Sequence, residues 1–154
     1  MKFLTFSFSL ICLLLIAQTA YSQAPNTGGE VLALGGYDVV AYFNANDAVR
    51  GNNDHTAKID GMIYYFSTAD NQKVFQQNPS QYQPQYGGNC AFAMAMKGAA
   101  VPSDPTTFKI RDGKLYLFFN DYYEGKPFNT IIPWNTNKSE SGLVAKAEAN
   151  WAKL

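Results

Sequence analysis

Thr56-Ala57-Lys58-Ile59-Asp60-Gly61-Met62-Ile63-Tyr64-Tyr65-Phe66 reads as a β-hairpin, and so does Phe108-Lys109-Ile110-Arg111-Asp112-Gly113-Lys114-Leu115-Tyr116-Leu117-Phe118-Phe119. In each, β-branched and aromatic residues flank an Asp-Gly pair. Asp and Gly tolerate the positive φ angles of a two-residue turn, so strand, turn and return strand are encoded together. Helical signals lie around the hairpins. Ser67 is placed to cap a helix over 68–77, with Asp70 in its first turn and Asn78-Pro79 at its end. Asp38 is placed to cap a short helix through Val39-Val40-Ala41-Tyr42-Phe43. Asn89 is placed to cap a run from Cys90 to Lys97 that Gly98 closes. From about Ser141, Leu143, Val144, Ala147 and Trp151 recur at helical spacing. The expected fold is α+β: a small antiparallel sheet from the two hairpins, short flanking helices and a C-terminal helix. The stretch 45–54 reads as a loop. Residues 121–137, with Gly125, Pro127 and Pro133, read as an irregular connection. No internal repeat, low-complexity tract or charge block stands out.

The chain has 154 residues, and its start reads as an address. Lys2 precedes an apolar run over 3–17, too short for a good membrane span, and Ala20-Tyr21-Ser22 offers small residues at a cleavage point. Residues 1–22 are therefore expected to be a signal peptide and 23–154 a single exported domain, periplasmic or extracellular, with no stable membrane span after cleavage. Cys12 falls inside the discarded run. The mature part holds 11 basic and 12 acidic residues, a balance that argues against nucleic acid and against an electrostatically held membrane surface.

Cleavage leaves Cys90 as the one cysteine, an unpaired thiol in an oxidising compartment. Cys90 and Met94 differ by four and share a face of either a helix or a strand. A thiolate with a thioether is a soft donor pair suited to Cu(I), and His55, the sole histidine, is a possible nitrogen donor. That makes Cys90, Met94 and His55 the candidate metal ligands, with copper the first ion to consider. The ordinary reading of these residues is different: a lone Cys among small apolar neighbours packs in a core, and Met fills gaps. A thiol-dependent enzyme is a second alternative. It requires Cys90 activated by His55 and a third group to orient the histidine. No complete catalytic constellation is visible, which favours a binding protein over an enzyme. A third alternative is a metal-free ligand-binding or interaction module, with Tyr37, Tyr86, Gly87 and Gly88 as candidate ligand contacts. Its glycines let backbone approach a small ligand, and its tyrosines present hydroxyls at a rim.

A series of blocks runs in order along the chain. They are Gly36-Tyr37-Asp38 through Ala41-Tyr42-Phe43; Gly61 with Tyr64 or Tyr65 and Phe66; Phe75, Asn78-Pro79 and Tyr82; and Pro84-Gln85-Tyr86-Gly87-Gly88 with Cys90-Ala91. Asp104-Pro105, Asp112-Gly113-Lys114-Leu115-Tyr116-Leu117 and Ala149-Asn150-Trp151 complete the set. In these blocks the mature chain resembles a secreted YHS-domain protein. The resemblance implies one YHS-like domain over 23–154 and an association with metal handling. Versions of that domain linked to heavy metals carry cysteines just after the Tyr-Phe pair and again four residues later. Here those positions are Ser67 and Asn71, neither a soft ligand.

Overall fold

The computed structural model describes residues 31–154, so the expected signal peptide lies outside the described residues. The fold is α+β. Its strands are β1 (Val31–Leu32), β2 (Asn52–Ile59), β3 (Met62–Phe66), β4 (Asp104–Arg111), β5 (Lys114–Phe118), β6 (Asn120–Tyr123) and β7 (Lys126–Asn129). Its helices are α1 (Ala41–Asn44), α2 (Ala69–Gln77), α3 (Pro79–Tyr82), α4 (Ala91–Lys97), α5 (Ile131–Asn135) and α6 (Glu140–Trp151). Both Asp-Gly hairpins form. They sit in separate sheets, however: β1-β3-β2, with β1 parallel to β3, and the two-stranded β4-β5. No helix among the described residues is long and apolar enough to cross a membrane.

The chain repeats itself, which corrects the expectation of no internal repeat. β2 and β4 begin at 52 and 104, and β3 and β5 at 62 and 114, so each pair is 52 positions apart. The hairpins share a bulge, between Asn52/Thr56 in one and Asp104/Phe108 in the other. Before each lies the same left-handed turn. Leu34-Gly35-Gly36 has φ of 51°, 58° and 88°, and Tyr86-Gly87-Gly88 has 55°, 61° and 82°. Only residues that tolerate positive φ sit there cheaply, which explains a Gly-Gly pair in both turns. The ties repeat as well: Asp38 N donates to Val49 O at 2.9 Å, and Cys90 N to Val101 O at 2.8 Å. The repeat is faint in sequence because a shared backbone needs only its turn residues and a buried/exposed alternation. Tyr64/Tyr116 and Phe66/Phe118 persist, while most other positions differ.

Each half has its own core. Val39, Val40, Tyr64, Phe66 and Phe75 fill the first, with α2 contributing Phe75. Met94, Tyr116, Phe118, Trp134 and Leu143 fill the second, with α6 contributing Leu143 and Ala147. A third cluster, Tyr42 with Leu115 and Leu117, joins the halves. Tyr42 is fully buried, lies edge-on to Phe108 at 4.7 Å, and donates from its hydroxyl to Pro105 O at 2.8 Å. Burial is the largest of the causes that push this phenol well above its ordinary range, so it remains a hydrogen-bond donor.

Glu140 fastens α6 to the second sheet. Its Oε1 accepts from Trp134 Nε1 at 2.7 Å and pairs with Lys109 Nζ at 2.8 Å, and Arg111 lies 3.6 Å from its Oε2. Residues 120–129 depart from the expected irregular connection. They form the hairpin β6–β7, turned at Glu124-Gly125 with φ of 51° and 74°. Pro127 is tolerated because the two-stranded ribbon leaves its strands at an edge. Pro133 falls in the first turn of α5, where its missing N–H has no helical partner to lose. This ribbon and α5 have no counterpart in the first half, where α2 follows β3 after two residues.

Candidate functional site

The two halves enclose a cleft of about 530 Å³. Leu34 and Gly35 from the first left-handed turn and Gly87 and Gly88 from the second line it together. Met62 and Tyr64 of β3, with Pro84, Pro102 and Pro105, complete the lining. The volume lies within the range usual for small-ligand sites, and its walls are mainly apolar, as such sites are. Polar groups are few. Gln83 Nε2 donates to Tyr64 Oη at 3.4 Å, and Ser103 Oγ donates to Gly88 O at 2.6 Å. Burial, the largest influence on the Tyr64 phenol, raises it above its ordinary value and keeps it protonated. Among the described residues that line the cleft, Asp60 is the one with a charged side chain. The cleft is thus suited to a neutral or singly cationic molecule with an apolar body, and disfavours anions.

Of the residues expected to meet a ligand, Gly87 and Gly88 line this cleft. Tyr86 lies behind them in the second core, 4 % exposed, and its hydroxyl has no hydrogen-bond partner among the described residues. It packs against Tyr116 and Trp151. Tyr37 is elsewhere: it bridges to Arg50, whose guanidinium sits 4.3 Å over its ring. Sequence reasoning missed Leu34, Met62, Gln83 and Ser103. The signal available was the equal spacing of Gly35-Gly36 to Gly87-Gly88 and of Asp60-Gly61 to Asp112-Gly113. That spacing implies two like units with a seam between them.

Cys90 is fully buried. It, and not Asn89, is the N-cap of α4: its Sγ accepts from Ala93 N at 3.4 Å. The same sulfur lies 3.2 Å from Thr130 Oγ1, and that hydroxyl donates to Phe119 O at 3.0 Å. Phe119 O can only accept, so the one hydroxyl hydrogen is engaged there. The thiol S–H is then the donor across the 3.2 Å contact. Met94, one turn along α4, is also fully buried, within the second core. His55 is half-buried in β2 of the first half. No group of three or more His, Cys, Asp or Glu among the described residues is arranged to hold a metal ion.

The residue matching Cys90 in the first half is Asp38, also fully buried. Its Oδ1 accepts from Val40 N at 2.9 Å and Ala41 N at 3.3 Å, at the entrance to α1. Its Oδ2 accepts from Ser67 N and Ser67 Oγ, both at 2.7 Å, and from Asn71 Nδ2 at 2.8 Å. Ser67 and Asn71 are the two positions where the YHS resemblance would place soft ligands, and both are committed to this carboxylate. Ser67 therefore does not cap α2. Thr68 does, accepting from Asn71 N at 3.1 Å. A buried carboxylate is tolerated only when its oxygens are fully engaged, and five donors achieve that here.

No family model, no curated protein and no solved structure matches this chain in the comparisons made with each.

Proposed function

We propose that this chain is a small exported binding protein of the YHS type whose ligand site is the cleft between its two halves. Export is supported by Lys2 and the apolar run that follows it, and the YHS reading by the ordered blocks of sequence. The observation that carries the binding reading is the cleft itself. It is about 530 Å³, walled by both left-handed turns, and holds a single carboxylate. A metal-free ligand is favoured over copper because the Cys90 sulfur is enclosed and already hydrogen-bonded on both of its sides. The thiol-dependent enzyme is disfavoured for the same reason. The ligand class is a compact molecule with an apolar body and at most one positive charge, recognised by Asp60, Tyr64 and Gln83.

Equilibrium titration with benzylamine and with benzoate tests this. Benzylamine is expected to bind and benzoate not. Asp60→Asn is expected to weaken benzylamine by roughly two- to fivefold, the range an exposed ion pair supplies. Met62→Trp, which intrudes into the cleft, is expected to weaken benzylamine binding. Equal binding of the amine and the acid, unmoved by either substitution, overturns the assignment.

A further inference from the structure

The β6–β7 ribbon is unexplained by the cores. Seven of its eight residues are exposed, including Tyr122, Tyr123 and Phe128, and an isolated two-stranded hairpin is at best marginally stable. What the ribbon does is wall a groove. Tyr123 and Phe128 of the ribbon and Phe92 and Met96 of α4 line it, with Val101 and Phe119. The groove has a volume of about 110 Å³ and an almost wholly apolar lining. Apolar cavities on the order of 150 Å³ hold a benzene-sized molecule, so this one takes a short hydrocarbon group. One charged side chain is among its lining residues. Lys97 is exposed, with Nζ 3.5 Å from Tyr123 Oη and 5.2 Å from the centre of that ring. Among the described residues lining the groove none is acidic.

We propose that this groove is a second binding site, independent of the cleft, for a short-chain carboxylate: the alkyl tail between α4 and the ribbon, the carboxylate on Lys97. The charge argument separates the two sites, since the cleft carries a lone acid and the groove a lone base.

Amide-resolved NMR titration of the 23–154 chain with pentanoate and with pentanol tests the assignment. Pentanoate is expected to shift Phe92, Met96, Lys97 and Phe128 and to bind more tightly than pentanol. Lys97→Met is expected to weaken pentanoate by roughly two- to fivefold and leave pentanol unchanged. Phe128→Ala, an exposed position, is expected to weaken both, and Met62→Trp in the cleft neither. Equal affinity for acid and alcohol, or pentanoate shifts confined to Leu34 and Met62, overturns the proposal. A Lys97→Met effect equal on both probes does the same.

Discussion

At position 38 the first half buries an aspartate, and at the matching place in the second half, position 90, the chain buries a cysteine. Both accept backbone N–H groups near the start of the helix that follows a left-handed turn. Both bind the chain where it emerges beyond the hairpin: Asp38 reaches Ser67 directly, while Cys90 reaches Thr130 after the ribbon has gone out and come back. The chemistry differs greatly. The carboxylate takes five donors, two of them from side chains. The thiol makes two hydrogen bonds, both with uncharged partners. The lesson is that a lone buried cysteine can hold a structural place that its twin fills with an aspartate. Its burial then says nothing of catalysis.

Substituting these two residues should break the comparison most visibly. Asp38→Ala strands the Ser67 and Asn71 donors and the Val40 N–H, while Ala41 N keeps its bond to the carbonyl of residue 38. Bonds to a charged acceptor contribute about 1.5–3 kcal/mol each, so a loss of about 3 kcal/mol or more is expected in urea unfolding. Cys90→Ala should cost about 1 kcal/mol, the worth of an ordinary neutral hydrogen bond. Equal losses would mean that the five donors on the carboxylate stabilise no more than the two contacts of the thiol.

The seam comes next in size. Tyr42→Phe removes the hydroxyl that spans from α1 to Pro105 and leaves that carbonyl without its donor. A loss of about 1–2 kcal/mol is expected, and the two halves should unfold less cooperatively by circular dichroism.

A smaller effect lies in acid. Burial would raise the Glu140 carboxyl, but the hydrogen bonds from Lys109 and Trp134, then the Lys109 and Arg111 charges, outweigh it and leave it below its ordinary 4.5. Asp104 is likewise lowered: burial opposes the shift, and hydrogen bonds from Thr106, Thr107 and Asn120 prevail. Groups with lowered values stabilise the fold above their unfolded values and lose that contribution as pH falls through the folded ones. Thermal melts should therefore be flat from pH 7 to about 5 and fall progressively below 4.5. Glu140→Gln should be less stable at neutral pH and show a shallower acid decline.

The smallest expected effect is on metal. Cu(I) uptake by the 23–154 chain and by Cys90→Ser should be the same, and alkylation of Cys90 should track unfolding, since the folded thiol is fully buried. Fast alkylation of the folded chain would reopen the thiol readings.

The hairpins, α4 and the C-terminal helix were legible because Asp-Gly turns, a closing glycine and helical spacing act locally. What was not legible depends on residues far apart. Nothing near Asp38 announces Ser67 and Asn71 as its partners, and nothing near Cys90 announces Thr130. The ribbon was obscured because Pro127 and Pro133 usually break structure, and only the edge position of one and the first-turn position of the other make them harmless. The cleft was half legible: Gly87 and Gly88 could be picked out, but the opposite wall required knowing that the chain folds twice on one frame.

The most direct test of the central claim, that the functional surface is the seam between the halves and not the buried sulfur, is an amide-resolved NMR map of bound benzylamine. Perturbations are predicted on both walls together, at Leu34, Gly35 and Met62 and at Gly87, Gly88 and Ser103. Perturbations centred on Cys90 and Thr130, or confined to one half of the chain, would contradict it.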